Sequence, residues 1–433
     1  MQLVEKHVIA RGDPRYTLID EAAFKSKNLY NAALYQMRQA FIHEGKYLSY
    51  ETMDKQMQSH EAYCALPAKV AQQVLRQLAD AWKAFREAKA AYHEDPSRFL
   101  ARPRLPNYKH KTAGRNLLIY TLQALSRGKK GLQRGIIKPS RLAISVKTHH
   151  ANVKQVRIVP RQRFYVVEVV YEQEPVQAHV NPAYYAGIDL GINNLATVAS
   201  NAPKFSSVII NGRPVKAINQ FYNKRRAELQ HQLGKPGSTA RMQRLTTTRN
   251  RRIDHYLHTA SKRIIDLLVQ AKISVVCIGK NEGWKQKVCL GKRTNQQFVQ
   301  IPHARFIQML TYKAQLVGIR VEITEEAYTS KASFLDHDPL PVYDKKHQKS
   351  YTFSGKRIKR GLYQAKNGRL VNADWNGAAN ILRKVAPHAF EAEGVEDGEE
   401  MFASLVVHPV RLSFPSQSRK CSPVLAPPGF ASI

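Results

Sequence analysis

The sequence predicts a mixed chain in which an antiparallel β-barrel with a helical insertion precedes an α/β domain. Three observations carry this. Residues 2–9 (QLVEKHVI) alternate apolar and polar, and short strand-like runs return much later at 142–147, 153–159 and 164–171. Between them, residues 20–92 change to helical periodicity. After a proline-bounded break at 175–182, apolar strands alternate with long helices, the pattern of an α/β layer.

Length and charge bound the function. The 433 residues suffice for two or three domains with separate cores, and the 43% hydrophobic content is that of a folded protein. Lys and Arg number 68 against 33 Asp and Glu, a formal charge of +35. Residues 391–400 hold six acids and no base, so the rest of the chain is more basic still. A surplus of that size repels itself unless a polyanion neutralises it, which points to nucleic acid before an anionic membrane. No apolar run approaches the roughly 18–20 residues of a bilayer span, and the opening MQLVEKHVIARGD lacks the apolar core of a secretory signal. Cys64, Cys277, Cys289 and Cys421 are scattered without a CxxC pair, against both a disulfide framework and a four-cysteine zinc ribbon. These features predict an intracellular protein with reduced thiols.

Within the helical stretch, Val70, Val74, Leu78, Trp82 and Phe85 make one apolar stripe. Lys69, Arg76 and Lys83 recur every seven residues on another face, with Arg86 beside them. A solvated face gives the same pattern, but the global charge favours a row facing nucleic acid. Residues 96–115 (PSRFLARPRLPNYKHKTAGR) form a basic connector with Arg98, Arg102, Arg104, Lys109, Lys111 and Arg115, interleaved with Phe99 and Tyr108. Bases alternating with aromatics suit phosphate pairing plus base stacking.

In the second half, 184–199 (YYAGIDLGINNLATVA) reads as a buried strand, a glycine turn and a second strand. Basic helices follow at about 215–233 and 241–271, then a strand at 273–278, a helix near 302–317 and a strand at 319–324. Residues 328–368 read as loop, 374–384 as a last helix, and the Pro/Ser-rich end as a disordered tail.

Two acids stand out. Asp189 interrupts an apolar strand, where a carboxylate needs a partner or a metal unless it merely caps a turn. Asp374, in VNADWNGAANIL, stands at a helix start, where capping is the plainer role. Brought together, they suggest a Mg²⁺ site for phosphodiester hydrolysis, which requires a third acid. Glu325, Glu326 and Glu282 are the candidates.

The runs GIDLGINNLATVA, RRIDHYLHTASKRII, VCIGKNEGWKQK, IPHARFIQMLTYKAQLVGIRVEITEEAYTSKASFLD, FSGKRIKRGLY and NADWNGAANILRK, in this order over about 184–384, resemble TnpB. TnpB is the transposon-encoded family of RNA-guided DNA nucleases from which type V CRISPR effectors descend. LPNYKHKTAGRN resembles its basic linker. The resemblance implies a split RuvC-like nuclease domain of RNase H fold (181–326 and 369–386) behind a wedge-type β-barrel (1–19 and 97–180). A helical recognition domain (20–96) would be inserted in the barrel, and a degenerate zinc-ribbon-like, target-binding insertion would occupy 327–368. The tail would be 387–433.

The family's first and third acids map onto Asp189 and Asp374. Its second, a Glu at a strand end, maps onto Gly279 of VVCIGKN, which cannot hold a metal. The run EEAYTSKASFLD resembles a subgroup with a displaced Glu, which makes Glu326 the expected third ligand and Glu325 the alternative. Strand parity puts Glu325 with Val321 and Ile323, and a bulge would reverse this. Where the family carries two CxxC pairs, this chain has Ser333, Asp336, Gln364 and Asn367, so no zinc is expected. Lys356, Arg357, Lys359 and Arg360 of SGKRIKRG complete the nucleic-acid-binding set. The resemblance thus implies one or two Mg²⁺ ions, a guide RNA, double-stranded target DNA, one protein per guide and a prokaryotic cytoplasmic, nucleoid-associated location. Gly279 motivates the rival reading, a guided DNA-binding protein that does not cut. A strand-exchanging transposase fits the motif order less well, and a generic RNA-binding protein leaves Asp189 without a role.

Overall fold

The computed structural model describes residues 1–125, 135–203, 205–281, 291–343, 350–390 and 409–414. The chain divides into two compact units, Met1–Glu174 and Pro175–Ile433.

In the first unit, β1 (Gln2–Ala10) leads into helices α1 (Tyr16–Glu44), α2 (Tyr50–Met57), α3 (Glu61–Cys64) and α4 (Ala68–Glu94). Strands β2 (Leu118–Thr121), β3 (Ile136–Ile137), β4 (Val146–Lys147), β5 (Val153–Pro160) and β6 (Phe164–Glu172) follow. The stripe read in α4 is buried at Val70, Val74, Leu78 and Trp82, with Phe85 packed beside it. Lys69, Arg76, Lys83 and Arg86 are exposed on the other face. β1 pairs antiparallel with β6 along its whole length, from Gln2↔Glu172 to Ala10↔Phe164.

The sheet order is β1-β6-β5-β2, while β3 and β4 form a separate hairpin. Among the described residues the expected barrel is therefore an open four-stranded antiparallel sheet with edges at β1 and β2. The expected strand at 142–147 shrinks to β4, and β2 takes its place beside β5. Four residues give too short an alternation for β2 to stand out from the basic connector before it.

The second unit opens with β7 (Asn181–Leu190), β8 (Asn194–Ser200) and β9 (Val208–Asn211), an antiparallel meander. Helices α5 (Arg213–Leu233) and α6 (Ala240–Gln270) precede β10 (Ile273–Gly279). Helices α7 (Lys292–Gln300) and α8 (His303–Leu316) lead to β11 (Arg320–Thr324). Then come β12 (Lys356–Lys359), β13 (Leu362–Gln364), β14 (Leu370–Asn372), α9 (Ala373–Val385) and β15 (Val410–Leu412).

The main sheet has the order β11-β10-β7-β8-β9-β15, with β10 parallel to β7 and β11 parallel to β10. This is a mixed sheet with helices, the α/β layer expected after the break at 175–182. Side chains alternate faces along β10. Val276 and Ile278 join the layer of α6 and α8, with Leu257, Ile264, Phe306 and Leu310. Val275 and Cys277 join Ile381 of α9 in the opposite layer.

Two expectations are corrected. The segment read as loop contains β12 and β13, which form a three-stranded sheet with β14 just beyond it, invisible in sequence because KRIK of β12 is exposed throughout. The tail read as disordered contains β15, which pairs in parallel with β9. Three residues, VRL, give no periodicity to detect. No helix among the described residues is long and apolar enough to cross a membrane.

Candidate active site

Asp189 lies near the end of β7, opposite Thr197 of β8. Its neighbours Ile188 and Leu190 turn into the α6/α8 layer, so Asp189 and Gly187 face α9. Helix α9 lies flush on the strand. A Cβ added at Gly187 would stand 2.1 Å from the Ala378 carbonyl oxygen, and one at Gly377 would stand 3.1 Å from Asp189 Oδ2. Larger side chains at these positions would push the helix off the strand.

Asp374 is not the cap of α9. Asn372 is, its Oδ1 accepting from the N–H groups of Asp374 (3.0 Å) and Trp375 (3.1 Å). The Asp374 carboxylate therefore points outward, accepting from Asn194 Nδ2 at 2.5 Å and pairing with Arg357 at 3.5 Å.

The acids after β11 separate. Gly279 and Thr324 are partners in the β10–β11 register, with Glu325 and Glu326 just beyond. Asn281 holds Glu326 twice: its Oδ1 accepts from the Glu326 N–H (3.0 Å) and its Nδ2 donates to Oε1 (3.3 Å). The other Glu326 oxygen lies beside Gly279, 3.1 Å from where a Cβ would be. Glu325 is paired with Lys384 of α9. On the face that strand parity shares with Glu325, Val321 packs against the core of the α6/α8 layer while Ile323 is 52% exposed.

Burial, then the charges of Asp374 and Glu326, push Asp189 up to about 8, opposed by Arg357 and the Leu190 N–H. Burial pushes Glu326 up to about 7, with Lys384 opposing. Asp189 is thus the acid on which the charges of the other two bear. Among the described residues, no three His, Cys, Asp or Glu side chains are gathered closely enough to hold a metal ion. The donor set, all carboxylate oxygen, suits Mg²⁺ in kind. Glu282 lies outside the described residues.

The segment carrying Glu326 is clamped to α9 by residues that sequence reasoning missed. Asn376 accepts from the Phe334 N–H (2.9 Å) and donates to the Ala332 carbonyl (2.8 Å). Asn380 donates to the carbonyls of Thr329 (2.9 Å) and Ala332 (2.8 Å). Both are fully buried. Two amides four residues apart on an Ala-rich helix were the available signal, since buried amides need partners.

At the positions of the family's cysteines, hydrogen bonds link the turns. Asp336 Oδ2 accepts from Ser333 Oγ (2.5 Å) and from the Lys366 N–H (2.9 Å). Asp338 accepts from the N–H groups of Ser333 (2.7 Å) and Ser354 (3.0 Å). Gln364 belongs to β13, and Asn367 accepts from the Arg369 N–H (3.0 Å).

The basic candidates fare unequally. Arg102, Arg104, Tyr108, Lys111, Lys356, Lys359 and Arg360 are exposed. Arg76 lies over the Tyr50 ring (4.1 Å), Arg86 over Tyr47 (6.0 Å), and Lys109 is half-buried over Tyr30 (4.6 Å). Arg115 is engaged within the fold. It forks onto Asp20 at 2.9 and 2.7 Å, and Asp20 also accepts from Tyr165 at 2.6 Å, so its guanidinium anchors the fold. Arg357 is engaged by Asp374 and belongs beside the acids.

Residues 168–285 match a family described as OrfB_IS605, probable transposase, and residues 303–381 match the Cas12f1-like TNB domain. The chain is 22% identical over 417 residues to the TnpB-like protein ORF457 of Acidianus two-tailed virus, covering 83% of this chain and 81% of that protein. Similar solved structures include a Cas12f1–sgRNA–target DNA complex (14% identity, 84% and 81% of the two chains, TM-score 0.47). Another is the mini-RNA-guided endonuclease CRISPR-Cas_phi3 (9% identity, 89% and 92%, TM-score 0.41).

Proposed function

We propose that this chain, which is similar to TnpB-like proteins, is an RNA-guided DNA endonuclease of that family whose RuvC-type site is built by Asp189, Glu326 and Asp374. The observation that carries the proposal is the placement of acids from strand and loop along the helix that bears Asp374, with Gly377 beside Asp189 and Gly279 beside both Glu326 and Ile381 of that helix.

Asp189, Glu326 and Asp374 would hold Mg²⁺, which when bound supplies charge for phosphodiester hydrolysis and lowers the pKa of water. The chain's own groups prepare that place. Asn281 fixes the Glu326 carboxylate from backbone and side chain, and Asn372 caps α9 so that Asp374 is not consumed as a cap. Arg357 lends positive charge beside Asp374. Asp189 and Glu326, both held above the ordinary carboxylate range, keep protons near neutrality until a cation takes their place.

The charge of +35 and the exposed basic rows on α4, the connector and β12 support binding of a structured guide RNA and a guide–target duplex. In this reading guide pairing reads the sequence, and the protein reads a short motif beside the target. The rival, guided binding without cleavage, drew on Gly279; Glu326 standing beside that glycine supports the enzyme instead.

The test is plasmid cleavage by the protein with its co-purified RNA in Mg²⁺, with an EDTA control. Wild type should cut and Asp189→Ala should not. Guided binding without any cutting by wild type would leave a programmable DNA-binding protein.

A further inference from the structure

The short strand β15 reaches the candidate site by two routes. Arg411 Nη1 donates to Asn194 Oδ1 (2.9 Å), and Asn194 Nδ2 donates to Asp374 Oδ2 (2.5 Å). Separately, the Val410 N–H donates to the Ser207 carbonyl (2.8 Å), while Ser207 Oγ accepts from Nε1 of Trp375, the residue after Asp374 (2.9 Å). The strand is seated by its register on β9, by Asn211 Nδ2 donating to Ser413 Oγ (3.1 Å), and by Phe414 against Tyr256.

We infer that Arg411 is a positioning residue for the nuclease site, acting through Asn194 to orient the Asp374 carboxylate. The argument is one of hydrogen-bond polarity and rests on the function proposed above. A guanidinium only donates and a carboxylate only accepts. An asparagine between them has one amide orientation that satisfies both. Without Arg411 the amide is free to turn its own carbonyl toward Asp374, where two acceptors oppose each other. The contact is charge-assisted at both ends, which makes the orientation more than a surface accident. Asp374 would otherwise answer to Arg357 alone, which would draw it toward β12.

The experiment uses the full chain with its co-purified RNA. Single-turnover cleavage, target binding, thermal midpoint and Mn²⁺ affinity by calorimetry are compared for wild type, Asn194→Ala, Arg411→Ala, Arg411→Lys and the Asn194→Ala/Arg411→Ala double variant. Arg411→Ala should slow cleavage about tenfold, the effect of one lost polar contact, with weaker Mn²⁺ binding and unchanged target binding. Arg411→Lys, still a donor, should recover most of both. Because the two residues act in series, the double variant should be no slower than Asn194→Ala. Multiplicative losses, a wild-type rate in Arg411→Ala, or equal damage in the Ala and Lys variants with a lowered melting point would overturn the inference. Wild type that binds Mn²⁺ without cutting would sink the nuclease reading alone, and the Mn²⁺ series would then judge Arg411. Wild type that neither cuts nor binds Mn²⁺ would overturn both.

Discussion

Glu326 Oε2 lies 3.1 Å from the point where a Cβ on Gly279 would stand, so the carboxylate fills room that a missing side chain leaves. The same Cβ would come within 2.6 Å of Ile381 Cδ1. Gly279→Ala should therefore cost about 1–3 kcal/mol of stability by overpacking and slow cleavage at least about tenfold. Gly279→Glu alone should be worse. Adding Glu326→Ala to it should restore part of the stability, since the competing carboxylate is gone. Thermal melts and cleavage rates of the three variants decide this; a double variant no better than Gly279→Glu would show that the two positions do not share the space.

The adjacent glutamates should differ sharply. Glu326→Gln keeps the shape but removes the charge, and cleavage should fall by about a hundredfold or more. Glu325→Gln loses an ion pair with Lys384 and should stay within a few-fold of wild type. Equal losses in both would mean that Glu326 is not the third ligand.

The proton load of the site gives stability a pH dependence with a definite sign. Asp189 at about 8 and Glu326 at about 7 bind protons in the folded protein that the unfolded chain has already released. Their stabilising contribution is fully present below the ordinary carboxylate pKa and is lost as pH rises through about 7 to 8. In EDTA, wild type should thus lose more of its melting temperature between pH 5 and pH 8 than Asp189→Asn does. A parallel pair of curves would contradict it.

Asp336 joins the turn at Ser333 to the turn at Lys366 by hydrogen bonds. Asp336→Ala should destabilise the protein by about 1–3 kcal/mol, the cost of leaving its donors unsatisfied. A chemical-denaturation midpoint unchanged in this variant would show that packing of Phe334 and Tyr363 suffices.

The order of strands and helices was largely legible because strong periodicity survives without context: the α4 stripe, the apolar β7 and β10, and the long α6 all read correctly. What escaped was made by tertiary contacts. Helix α7, strand β2 and strand β15 are too short or too polar to announce themselves. Within the site, Asp189 and Asp374 stood out as acids in apolar surroundings. The roles of Asn194, Asn281 and Asn376 did not, because a neutral amide has no meaning until its partners are known. Arg115 is the converse case, a base whose partner Asp20 the sequence gives no sign of.

The placement of Asp374 on the last long helix has a consequence for biosynthesis. A ribosome delivers Asp189 before α6, α8 and the segment bearing Glu326, and delivers α9 only after all of these. Domains complete themselves as their chain emerges, but this sheet cannot receive α9 until the segment bearing Glu326 has been made. A nascent or prematurely terminated chain therefore displays its basic rows while lacking an assembled acid set. Under the function proposed above, such fragments would bind nucleic acid without being able to cut it.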